Sequence, residues 1–194
     1  MALLERAVLF ETSRLRLRIP HQRDVPAIVA YYRVNQEHLR PWSPRWPANF
    51  LSASFWRDQV SRRQAEAAAG VGYGLFIVAR DGGEHIVGNL SLTQIVRGAA
   101  EYCVLGYGLA AEAQGKGYMV EAVDGAVRFA FEELGLHRVE ASYIPDNRRS
   151  GNVLRRAGFQ VEGYSRDYLR INGRWEDHVR TAITNAEWRR GSRG

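Results

Sequence analysis

Between Glu101 and Ile144 the chain reads as a strand, a glycine-bearing loop, a long helix and a second strand. The helix, about Gly117 to Leu134, sets Met119, Val120, Val123, Val127, Ala130 and Leu134 largely on one face, so it must lie against an apolar partner. A strand–helix–strand connection of this kind joins parallel strands through a right-handed crossover. The flanking segments obey a different rule. Tyr73 to Arg80, His85 to Val96 and Glu101 to Leu109 are extended runs separated only by Asp81-Gly82-Gly83 and Arg97-Gly98-Ala99, and turns that short join antiparallel neighbours. Asn172-Gly173 marks another hairpin, between Gly163 to Ile171 and Arg174 to Thr184. Parallel and antiparallel pairing in one chain requires a mixed α/β sheet with helices on both faces.

A seventh strand comes first. Leu15, Leu17 and Ile19 alternate with Arg14, Arg16 and Arg18, the period of a strand with one buried face, and Pro20 stops it. Asp24 is placed to cap a helix through Val25, Ile28, Val29 and Tyr32, and Ser52 opens another that runs to about Ala69. Between them, Arg40 to Pro47 reads as a loop with three prolines. A short helix follows Pro145-Asp146-Asn147 and ends at Gly158. With no internal repeat and no Pro/Gly/Ser-rich linker, the expectation is one domain over residues 8–185 with short tails at 1–7 and 186–194.

Of the 194 residues, 45% are hydrophobic and 25% charged, which excludes disordered, low-complexity and collagen-like classes. No apolar run reaches the roughly 20 residues that span a bilayer, and the opening Met1-Ala2-Leu3-Leu4-Glu5-Arg6 lacks a secretory h-region. A single cysteine, Cys103, forbids a disulfide framework and suits a buried apolar position. A cytoplasmic location is expected. His21, His38, His85, His137 and His178 show no ligand spacing, so no metal is expected. The net charge of +6 favours acidic partners, whether nucleic acid, the ribosome met through a basic surface, or a phosphate-rich cofactor, or else is a basic tilt of a solvated surface.

The chemistry concentrates in Gly106-Tyr-Gly-Leu-Ala-Ala-Glu-Ala-Gln114-Gly-Lys-Gly117-Tyr-Met119, where a strand runs through glycines into a helix start. Free N–H groups and the positive end of the helix dipole make such a place an anion site. It is not a Walker A loop, because Lys116 is followed by Gly117 instead of Ser or Thr. It is not a dinucleotide fingerprint either, since Val120 stands where the last glycine belongs. Gln114-Gly115-Lys116-Gly117 resembles the pyrophosphate loop of the Gcn5-related N-acetyltransferases, with Met119 in place of the generic small residue. Asn147-Arg-Arg-Ser150-Gly-Asn152 through Gly158-Phe159 is similar to that family's Asn-x-x-Ser helix. The run from Gly163 to Val179 resembles its ribosomal-protein-alanine N-acetyltransferase branch.

The resemblance implies an acetyl-coenzyme A-dependent enzyme with a central seven-stranded mixed sheet. Its cofactor notch lies where the strands ending at Leu109 and Ile144 splay apart. The pantetheine arm would pair with the main chain of Tyr107, Gly108 and Leu109. The pyrophosphate would rest on N–H groups of Gly115, Lys116, Gly117, Tyr118 and Met119, behind Gln114. Asn147 and Asn152 would offer amides to the pantetheine or thioester end, and Arg155 and Arg156 stand on the same helix. Direct transfer needs an acid for the thiolate and a base for the amine. Ser150 is the candidate acid or, alternatively, a helix-capping serine; Tyr143 is a weaker donor or a core residue. Asp167 and Glu101 are candidate bases or, alternatively, surface carboxylates paired with arginine. Trp42 and Trp46 wall the acceptor groove or pack beneath their loop.

By the same resemblance the acceptor is the N-terminal alanine of a ribosomal protein. The alternatives are a small-molecule amine, or use of the fold as a ribosome-assembly or RNA-binding factor; the chain is expected to be a monomer or a homodimer. The loop assignment makes a direct prediction. Gly117→Glu abolishes coenzyme A binding by calorimetry, because it adds bulk and negative charge where N–H groups would face phosphates, whereas Lys116→Ala has a much smaller effect.

Overall fold

The computed structural model describes residues 8–80 and 85–188. The expected turn at Asp81-Gly82-Gly83, the tail 1–7 and the end of the second tail, 189–194, lie outside the described residues. The strands are β1 (Phe10–Glu11), β2 (Leu15–Arg18), β3 (Tyr73–Ala79), β4 (Ile86–Val96), β5 (Tyr102–Leu109), β6 (Arg138–Tyr143), β7 (Gln160–Ile171) and β8 (Arg174–Thr184). The helices are α1 (Val25–Val34), α2 (Gln36–Leu39), α3 (Ala53–Ala68), α4 (Tyr118–Glu132) and α5 (Arg148–Arg156). The described residues thus form eight strands instead of the expected seven. The additional one is β1, whose two residues are too few to show any periodicity. The three-proline segment is also more ordered than its composition suggests: α2 precedes it, and Arg40–Trp42 is a turn of 3-10 helix, with Pro41 near its start where a missing N–H does no harm.

One sheet runs in the order β1-β2-β3-β4-β5-β6-β8-β7. Every pair is antiparallel except β5 with β6, the crossover expected from the sequence. The two faces are separated by the alternation of β3. Tyr73 meets Phe129 of α4, whereas Phe76 meets Trp56 of α3 and Tyr31 of α1. All seven residues of β3 are consequently buried. No helix among the described residues is long and apolar enough to cross a membrane.

The caps follow the sequence in part. Ser52 accepts from Phe55 N–H, and Asn147 from Ser150 N–H. Asp24 stands at the α1 cap position but its side chain does not cap. It takes both prongs of the Arg18 guanidinium, at 2.5 and 3.0 Å, and the His21 N–H. Burial alone pushes the Asp24 carboxyl up, but the hydrogen bonds and charge of Arg18 with the His21 N–H outweigh it and hold it below the usual range. The pair ties β2 to the entry of α1. Asp24→Ala, which leaves Arg18 largely buried and unpaired, is expected to cost about 3 kcal/mol in denaturant unfolding. Because the folded-state value is depressed, wild type holds this stability above the unfolded carboxylate pKa and loses it as pH falls below about 4. The variant shows a flatter acid limb.

Candidate functional site

The parallel pair that the crossover creates is short. β5 and β6 are registered only at Tyr102–Arg138, Cys103–Val139 and Val104–Glu140. Beyond Val104, β5 remains paired to β4 as far as Leu109, while β6 stays paired to β8 as far as Tyr143. The two strands therefore part, and the β6-facing edge of β5 from Leu105 to Leu109 has no strand beside it. α5 enters at the mouth of the gap. It packs close to β6 at Gly151, where an added Cβ would come within 2.8 Å of the Tyr143 ring, so Tyr143 packs against α5.

The gap opens into a cavity of about 1180 Å³. Gly115 and Gly117 line it, both with left-handed backbone at φ 77° and 78°. Gly117 is the N-cap residue of α4 and, as a glycine, brings no side chain of its own to cap it. A Cβ on Gly115 would meet nothing within 4 Å. A Cβ on Gly117 would meet Arg14 Nη2 at 3.5 Å, and a glycine-bearing helix start of this kind lets an anion approach the backbone amides. Tyr118 and Met119 follow, largely buried but touching the cavity. Lys116 does not line it; its carbonyl turns outward and accepts from Arg14 at 2.9 Å. Gln114 is locked in place. Arg149 donates to its Oε1 at 2.7 Å, so its amide nitrogen faces His38 Nε2 at 2.9 Å. That amide nitrogen is a donor, so His38 is its acceptor through Nε2.

Tyr107, Gly108 and Leu109 line the cavity from β5, and Asn147, Ser150 and Asn152 from α5 and its cap. Tyr107 spans the gap: its phenol oxygen lies 2.8 Å from Ser150 Oγ and donates to the Ser150 carbonyl at 3.1 Å. Burial raises the Tyr107 phenol well above its ordinary value, so it stays protonated. The capping alternative for Ser150 is taken by Asn147, which leaves the serine hydroxyl to Tyr107 and the cavity. Asn152 Oδ1 accepts from Arg155, and Arg156 lines the cavity.

Neither expected base stands at this site. Glu101 closes the β4–β5 turn, pairing with Arg97 at 3.1 Å and accepting from Gly98 N–H. It precedes the far end of β5, roughly 25 Å from Leu109 at about 3.3 Å per residue. The arginine-paired reading holds for it. Asp167 is exposed on β7, in the bulge between Ser165 and Leu169 with φ 46°, its N–H held by Asp177. It too is absent from the cavity wall. The carboxylate that does line the cavity is Asp146, against five arginines among the described lining residues. In the sequence Asp146 stands in Pro145-Asp146-Asn147, the segment that caps the short helix, and nothing there marks it as a base.

At the acceptor end, Trp42 and Trp46 both line the cavity. Trp46 stacks on Phe50 at 4.2 Å and meets Tyr32 edge-on, so it both walls the cavity and packs its loop. The β7–β8 hairpin touches this wall through Asn172 N–H to the Ser43 carbonyl at 2.8 Å. Cys103 is fully buried, its thiol pushed up to about 12 by burial. Among the described residues no group of three or more His, Cys, Asp or Glu is arranged to hold a metal ion.

Residues 14–160 match the family model described as an acetyltransferase (GNAT) domain. The chain is 37% identical over 180 residues to the ribosomal protein uS5-alanine N-acetyltransferase of Escherichia coli K12, covering 93% of this chain and 92% of that one. Among solved structures, the ribosomal-protein-S5-alanine acetyltransferase of Vibrio fischeri superimposes with a TM-score of 0.86 at 33% identity, over 92% of this chain and 97% of the other. Mycobacterium smegmatis RimJ, solved in complex with CoA-disulfide, superimposes with a TM-score of 0.84 at 31% identity, over 89% and 83%.

Proposed function

The chain belongs to the GNAT acetyltransferase family and is an acetyl-transferring enzyme, and from that premise we propose that it transfers the acetyl group of acetyl-coenzyme A to the α-amine of an N-terminal alanine on a ribosomal protein in the cytoplasm. The observation that carries the donor half is the meeting of two backbone surfaces in one cavity: the half-edge of β5 with no strand beside it and the glycine-capped start of α4. The acceptor half rests on the likeness, over nearly the whole chain, to enzymes named for that acceptor.

The residues fit coenzyme A in three places. The free edge from Leu105 to Leu109 takes an extended, amide-bearing arm as it would take a strand. The amides of Gly115, Gly117, Tyr118 and Met119 receive a diphosphate, and Gln114 stands locked behind them. Asn147 keeps its amide nitrogen for the arm, since only its oxygen is committed to the cap. When bound, acetyl-coenzyme A supplies a thioester whose carbonyl carbon the amine attacks and whose thiolate leaves. Ser150 Oγ, held 2.8 Å from the Tyr107 phenol oxygen, would be the group placed to give a proton to that sulfur, and the proton that leaves the amine would restore the serine through water.

The base is undemanding for this acceptor. A free α-amine has a pKa of about 7.7–8.0 against about 10.4 for lysine, so a single carboxylate acting through water suffices. Asp146, the carboxylate on the cavity wall, takes that role. The gap to lysine, about 2.5 units or roughly 3.4 kcal/mol, makes a side-chain amine a poor acceptor here.

Two measurements test this reading. An Ala-starting peptide containing lysine is acetylated at its N-terminus alone by mass spectrometry, and Asp146→Asn lowers kcat most below pH 7 with partial recovery above it. Internal lysine acetylation, or preference for a small amine, rejects the acceptor; an unchanged pH–rate curve rejects the base. Separately, Ser150→Ala lowers kcat by about 10²–10⁴-fold with the KM for acetyl-coenzyme A nearly constant. Its melting temperature stays close to wild type, because Asn147 holds the cap.

A further inference from the structure

The glycine loop has an outer side, away from the cavity, and that side is held by a separate network. Glu121, in the first turn of α4, accepts on Oε1 from Thr12 Oγ1 at 2.5 Å, Ser13 Oγ at 3.0 Å and Arg14 N–H at 2.9 Å. Its Oε2 takes Arg14 Nε and Nη2, each at 2.6 Å. The last arm of the fork, Arg14 Nη1, donates to the Lys116 carbonyl at 2.9 Å. The guanidinium also lies 4.9 Å from the centre of the Tyr118 ring. One arginine therefore joins the β1–β2 turn, the first turn of α4 and the peptide between Lys116 and Gly117.

A trans peptide unit is planar, so its C=O and N–H point in opposite directions. Fixing the Lys116 carbonyl toward Arg14 turns the Gly117 N–H away from Arg14. Gly117 sits between the two sides: it borders the outer hollow that Thr12, Ser13 and Arg14 line, and it borders the main cavity. With the carbonyl held on the outer side, the amide faces the cavity. Glycine at φ 78° has no side-chain preference to hold this orientation by itself.

We propose that Arg14, braced by Glu121, is a positioning residue that orients the Gly117 amide for the diphosphate of the acetyl donor. The inference rests on the diphosphate reading of the loop given above. Charge adds a second effect in the same direction. Burial alone raises the Glu121 carboxyl, but the hydrogen bonds from Thr12, Arg14 and Ser13 outweigh it and bring it to about 2, so it is ionised. A carboxylate within one helical turn of an anion site repels the anion unless it is neutralised, and Arg14 neutralises it.

The test compares calorimetric affinities for coenzyme A and for pantetheine, which shares the arm but lacks the diphosphate. Arg14→Ala weakens coenzyme A by about 10–100-fold, the scale of one lost charge-assisted hydrogen bond, and leaves pantetheine affinity unchanged. Glu121→Gln weakens coenzyme A less, and the double variant Arg14→Ala/Glu121→Gln regains part of the loss of Arg14→Ala because the repelling charge is gone. Where Arg14→Ala fails to fold, Glu121→Gln carries the same comparison. Unchanged coenzyme A affinity, or an equal loss for both ligands, overturns the positioning role. Equal affinity of wild type for both ligands removes the diphosphate reading, and the proposal with it.

Discussion

The whole site depends on where the hydrogen bonding between β5 and β6 stops. Three residue pairs hold the strands together, and after Val104 each strand keeps only its outer partner. Backbone amides left open inside a fold are expensive unless something satisfies them. The open half of β5 suits an extended ligand, and the glycine-capped start of α4 borders the same cavity. α5 fixes the width of the gap: Gly151 lets it sit against Tyr143, and Tyr107 reaches across to Ser150. An alanine at Gly151 would push α5 off β6 or displace the Tyr143 ring, and so alter the distance between the binding edge and the serine.

The electrostatics of the cavity follow from this arrangement. Five arginines and one aspartate among its described lining residues make a cationic chamber suited to a polyanionic donor. The single lysine of the glycine loop is outside that wall, so the loop's own contribution is backbone N–H, and the arginines act from around it. Arg149 works at one remove, through Gln114 and His38, and thereby links α5 to α2 across the mouth. The overall charge of +6 is partly a property of this chamber.

The sheet and its mixed pairing were legible because each rested on a local signal: alternation in β2, the Asn172-Gly173 turn, one apolar face on α4. The anion loop was legible for the same reason, as Gly115 and Gly117 need left-handed backbone just where a helix begins. What escaped was long-range. Glu101 is read from its place at the start of a strand and Asp167 from the resemblance, and neither strand order nor strand direction can be read from a residue's neighbours. β5 runs its length away from Glu101 before it reaches the gap. Arg14 and Glu121 lie more than a hundred residues apart and carry no shared pattern, so only the folded chain brings them to one loop. β1 escaped because two residues have no period.

The bulges of β7 have a meaning apart from catalysis. β7 is a rim of the sheet, and an exposed rim invites pairing with another chain. Two register breaks, between Val161 and Gly163 and between Ser165 and Leu169, interrupt its regular edge, and Glu162, Arg166, Asp167 and Arg170 stud it with charge. The opposite rim, β1, is only two residues long. The open half of β5 is the longer run of unpaired backbone, yet it lies in the interior of the sheet, flanked by β4 on one side and the diverging β6 on the other. A slot between two strands of one sheet admits a single narrow chain and excludes the flat edge of a second sheet. The fold therefore carries its longer unpaired strand edge at the centre of the sheet, while bulges and charge interrupt the border formed by β7.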